Sequence, residues 1–98
     1  MSAGVIGKTL SEKRGWVLSH RESVPVKEVF QGKTVWDGIV EVFNLHGHTQ
    51  TDRVYAWFHD TGTEQRLVTV LHIHPALTPA DAVRAFIVQE FRNANAEA

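Results

Sequence analysis

Apolar residues recur at helical spacing in LTPADAVRAFIVQEFRNANAEA, the C-terminal stretch of the chain. Val83, Phe86, Ile87, Phe91 and Ala94 fall on one face, while Arg84, Gln89 and Arg92 fall on the other. Thr78 suits the N-cap, Pro79 the first helical position, and Asp81 the electropositive first turn. The pattern predicts a helix over residues 79–94.

Upstream the period shortens to that of strands. RVYAWFHD (53–60) and RLVTVLHIH (66–74) flank TGTE, where Thr61-Gly62 suits a tight hairpin turn that sets Asp52 opposite Leu71. Alternation then assigns Val54, Ala56, Phe58, Leu67, Thr69, Leu71 and Ile73 to one face, which is nearly all apolar and should receive the helix. The opposite face carries Arg53, Tyr55, Trp57, His59, Arg66, Val68, Val70, His72 and His74. KTVWDGIVEVFNL (33–45) reads as a long strand with a bulge at Asp37-Gly38. SVPVKEVFQGK reads as a weaker strand running into a Gln31-Gly32 turn, and GWVLSH (15–20) as a short one. The sum is an α+β domain, an antiparallel β-meander of three to five strands with one C-terminal helix packed on one face. Residues 1–13 are expected to be a flexible N-terminal segment, and 14–98 a single domain.

Composition narrows the functional classes. With 98 residues there is material for one core. No cysteine is present, so disulfides, thiolate zinc sites and a cysteine nucleophile are excluded. No run of about 18 apolar residues offers a membrane span, nor is there a signal-peptide core, so the expectation is a cytoplasmic protein with no membrane partner. The net charge of −1 hides an asymmetry. Residues 1–33 carry six basic and three acidic groups, and residues 34–98 carry four basic and eight acidic ones. The basic groups are scattered and half compensated, as on a solvated segment rather than a phosphate-tracking arm.

Four of the six histidines form two His-x-His pairs, His46/His48 and His72/His74. With the 46–52 loop emerging beside the 72–74 strand end, they could supply imidazoles to zinc, with Asp52 as a carboxylate. Against this, neither pair has a helical Glu to act as base, and strand-end histidines are common. Nucleophilic chemistry is weaker still. SHRES (19–23) sets Ser, His and Glu side by side, where neighbours cannot converge as a triad must. No Gly-x-Ser-x-Gly elbow or phosphate loop is present. Tyr55 and Trp57 could stack on bases or anchor a protein. Alternatively Trp16, Val17, Leu18, Val24 and Val26 fold back and cover them.

The stretch VWDGIVEVFNLHGHTQTDRVYAW, with the later Pro-x-Asp-Ala-Val helix start, resembles a group of short bacterial proteins over residues 35–90. That resemblance implies one intact domain and does not assign an activity. The strand-strand-strand-helix order also looks like the second half of a double-stranded-RNA-binding domain. Such domains hold phosphates with lysines at the start of the final helix, where this chain has TPADAVR with Asp81.

The residues together read as a small cytoplasmic, non-catalytic binding module with no cofactor. Its expected partner is a protein or a second copy, met through Arg53, Tyr55, Trp57 and Arg66. One alternative is a zinc domain built on His46, His48, His72 and His74. Nucleic-acid binding is the less favoured one.

Overall fold

The computed structural model describes residues 3–97, with side chains over residues 3–93. In chain order the elements are α1 (Ala3–Arg14), β1 (Val17–Phe30), β2 (Lys33–His46), β3 (Arg53–Asp60), β4 (Gln65–Leu71) and α2 (Pro79–Glu97). The strands form one antiparallel sheet in the order β1-β2-β3-β4, the α+β meander expected from the sequence. A helix covers each face.

Two faces are covered because the central strands are apolar on both. Val40, Val42 and Phe43 are buried, as are Val54, Tyr55, Ala56 and Trp57. Such strands need cover on each side. One core gathers Val26, Val40, Val42, Tyr55 and Trp57 beneath Ala82 and Val83 of α2. The other gathers Phe43, Val54 and Ala56 against Ile6 and Leu10 of α1.

This reverses the expected placement of the C-terminal helix. The face of Val54, Ala56 and Phe58 receives α1, and α2 lies over Tyr55 and Trp57. Side chains along β3 and β4 alternate between the faces as expected, but the larger face is decided by β1 and β2. Val24, Val26, Trp36, Val40 and Val42 extend the aromatic face, so the longer helix buries more apolar area there. Trp57 meets Phe86 and Trp36 edge-on, each with ring centroids 5.6 Å apart.

The segment expected to be flexible contains α1. Glycines at 4 and 7 obscure its pattern, which reduces to Ile6 and Leu10 one turn apart. Its end is better marked. Lys13 and Arg14 occupy the last turn, Gly15 takes a left-handed φ of 68°, and the Gly15 N–H donates to the Ser11 carbonyl at 3.0 Å.

The two N-terminal strand segments are one strand, β1, interrupted by a bulge at Arg21 between the pairs His20↔Phe43 and Glu22↔Val42. The bulge expected at Asp37-Gly38 instead falls at Val35, between Glu28↔Trp36 and Val29↔Thr34. Gly38 pairs regularly with Val26. A Cβ there would stand 3.1 Å from the Trp36 ring, so the glycine lets that indole lie across the strand.

The β3–β4 register also differs from expectation. Val54, not Asp52, lies opposite Leu71, and Asp60 pairs with Gln65 across a four-residue loop. Asp60 accepts the Gly62 N–H through Oδ1 at 2.8 Å, and the Thr61 N–H donates to the Glu64 carbonyl at 2.9 Å. These bonds favour the wider loop over a two-residue turn. The shift is by two, which preserves the faces. α2 begins as expected, with the Asp81 N–H donating to Thr78 Oγ1 at 3.0 Å. Phe91, expected on the apolar face of this helix, is 67% exposed. The side chain of Ala94 lies outside the described residues.

Candidate functional site

The residues expected to form a contact surface separate. Tyr55 and Trp57 are 1% and 2% exposed, so α2 and the flanking strands remove both from any surface. Val24 and Val26 do pack on this core, as the fold-back reading expected, but Phe86 and Ile87 of α2 supply the cover. Arg66 lies near the far end of the sheet, where its Nη2 donates to Glu90 of α2 at 3.1 Å. Arg53 stays at the near end, half-buried, with its Nε out of solvent and lacking a hydrogen-bond partner among the described residues.

The two histidine pairs do not converge either. Among the described residues no three His, Asp or Glu side chains are grouped to hold a metal ion. β4 ends at Leu71, and turns at Ile73 and Ala76 carry His74 into solvent. His46 Nε2 lies 3.1 Å from Ser19 Oγ, and His48 Nδ1 accepts the Gln50 N–H at 3.1 Å. His72 Nδ1 sits 2.6 Å from the Tyr55 hydroxyl. The 46–52 loop does lean on this strand end, through Thr51 Oγ1 donating to the His72 carbonyl at 2.8 Å. It brings a threonine there rather than imidazoles.

What the structure assembles is a polar row across this end of the sheet, on the α2 side. The Arg21 bulge turns that side chain toward Asn44, whose Oδ1 accepts from Arg21 Nη1 at 3.3 Å. Asn44 Nδ2 donates to Ser19 Oγ at 3.2 Å, and Ser19 continues to His46. Asn44 is also the cross-strand partner of Arg53, so the two arginines flank it. Tyr55 lies two residues further along β3, and His72, just past the end of β4, donates its backbone N–H to the Arg53 carbonyl at 3.0 Å. Burial pushes the Tyr55 phenol above its ordinary pKa, opposed by hydrogen bonding and positive charge from Arg53 and, more weakly, by the charge of Arg21. The phenol therefore keeps its proton at neutral pH and can donate it to His72 Nδ1. Arg21 was not singled out in the sequence, because a bulge in β1 carries no signature of its own there.

A second cluster lies on the α1 side. Glu41 is 6% exposed, and its Oε1 accepts from Ser23 Oγ and approaches His20 Nε2 at 3.1 Å. Ser23 Oγ and His20 Nε2 are 3.4 Å apart. The serine and histidine of SHRES thus meet a carboxylate, but that of Glu41 and not Glu22. This is not a relay. The imidazole presents one nitrogen to both oxygens, whereas a triad needs the base and the carboxylate on opposite ring nitrogens. His20 also borders an open cleft of about 410 Å³ against α1, with Gly7, Lys8, Ser11, Leu18 and Phe43.

The third feature is the outer half of the β1–β2 hairpin. The ladder from β2 to β3 covers only Glu41–Asn44 and Arg53–Ala56, so Lys33–Val40 is paired on one edge alone. Val29, Phe30, Val35 and Ile39 on this half are all 45% exposed or more.

No helix among the described residues is long and apolar enough to cross a membrane. No family model, curated protein or solved structure matches this chain.

Proposed function

We propose that this protein is a non-catalytic binding module that pairs with a second copy of itself through the outer half of the β1–β2 hairpin. The observation that supports this is the coincidence of an open strand edge over Lys33–Val40 with exposed Val35 and Ile39 on the same stretch. An open antiparallel edge is a template for another strand, and two identical edges can meet about a two-fold axis without a separate complementary surface. The bulge at Val35 limits the ladder to a short run, so side-chain burial would supply most of the affinity. The contact surface moves from the Tyr55/Trp57 face to this hairpin. Cytoplasmic location, suggested by a cysteine-free composition, and kinship with the short bacterial proteins belong to the same proposal.

Size-exclusion chromatography with light scattering tests it. The expected result is a dimer that dissociates on dilution, with Ile39→Lys monomeric and unchanged in far-ultraviolet circular dichroism. A wild type that remains monomeric at the highest soluble concentration overturns it.

A further inference from the structure

We propose that the polar row at the near end of the sheet binds a phosphoryl dianion between Arg21 and Arg53. The starting point is a charge imbalance. Among the described residues neither guanidinium is within ion-pair distance of a carboxylate, whereas Arg66 and Arg84 both are. Asn44 lies between the two, hydrogen-bonded to Arg21 and paired across the ladder with Arg53. The two arginines thus flank Asn44 from two different strands.

Arg53 carries the second argument. Its Nε is buried and unpaired, so although Arg53 also hydrogen-bonds the Tyr55 phenol, one N–H of a permanently charged group has left water without an acceptor. Groups of this kind are uncommon and call for an explanation. A bound anion would offset the cost of holding that charge partly out of water. Arg21 is exposed, and the bulge gives its side chain a direction that regular alternation would not.

The surrounding donors fit an anion with several oxygens. When the Tyr55 hydroxyl donates to His72 Nδ1, the imidazole keeps its proton on Nε2, where it is available as a donor. Two forked guanidiniums, with an imidazole N–H as a further donor, suit a tetrahedral dianion better than a planar carboxylate. The opposing charges are Asp81, Glu22 and Asp52. Asp81 is itself held by Arg84 Nη1 at 3.4 Å, and Glu22 and Asp52 are exposed.

The test is a titration of the full chain with inorganic phosphate, followed by amide and arginine Nε–H resonances in two-dimensional NMR. Sodium chloride at matched ionic strength is the control. Saturable shifts at Asn44, Arg53 and His72 are expected with phosphate and not with chloride. Arg21→Met, an exposed substitution that leaves both cores intact, should weaken binding at least tenfold. Arg53→Met should do the same if it folds. A nucleoside 5′-monophosphate binding more tightly than phosphate would identify a monoester as the ligand, and equal binding would identify the free anion. Shifts reproduced by chloride, or phosphate affinity unchanged in Arg21→Met, overturn the proposal.

Discussion

The Tyr55 hydroxyl lies 2.6 Å from His72 Nδ1, joining β3 to the segment that leaves β4 beneath the start of α2. Tyr55 is the only tyrosine in the chain, so its titration can be followed by ultraviolet absorbance without assignment. Burial raises its pKa in the folded state. The folded protein then holds the phenolic proton at a pH where the unfolded chain has released it. Stability from this group is complete below about pH 10, the unfolded value, and declines as pH rises toward the folded pKa. Melting curves across that range should show the decline in wild type and a smaller one in Tyr55→Phe. The substitution itself should cost about 1 kcal/mol at neutral pH. A phenol that titrates at its ordinary value would contradict this account.

Ser23 and Glu41 offer a test of buried polar satisfaction. Ser23→Ala strips a donor from a buried carboxylate and should destabilise the fold by about 1–3 kcal/mol. In a Glu41→Leu background the same change should cost little, because no buried charge then needs the hydroxyl. Urea denaturation of the four proteins in this cycle checks the coupling. Equal losses in both backgrounds would mean that Ser23 does not support the carboxylate.

Gly38→Val should destabilise by about 1–3 kcal/mol even though valine favours strands, because the added carbons displace the Trp36 ring. Trp36 packs on Trp57, so tryptophan fluorescence should change together with the unfolding midpoint. An unchanged spectrum with unchanged stability would show that the indole has another place to go.

Zinc should have no effect on stability. His46, His48, His72 and His74 each lie in a different setting, so a metal ion would have to break existing contacts to collect them. Untagged protein should melt at the same temperature with Zn²⁺ or with a chelator. A rise with equimolar zinc would show that the loop and strand end rearrange around the ion.

The sequence by itself determined the elements with strong periodicity. α2 begins where Thr78 and Pro79 predict, the strand-rich middle forms an antiparallel meander, and alternation along β3 and β4 assigns each side chain to its observed face. These features follow from local stereochemistry and from period alone. The tertiary structure decided which helix covers which face, because that depends on apolar area summed over four strands rather than on any hairpin. It also decided the fate of the candidate site. Tyr55 and Trp57 entered the core once α2 chose their face, and the histidine pairs separated when β4 ended at Leu71. Arg21 met Asn44, the cross-strand partner of Arg53, and Ser23 and His20 met Glu41, through a bulge and a strand pairing that link positions about twenty or more residues apart. Such meetings depend on register, which pattern leaves open, since a shift of two residues preserves every face while exchanging every neighbour.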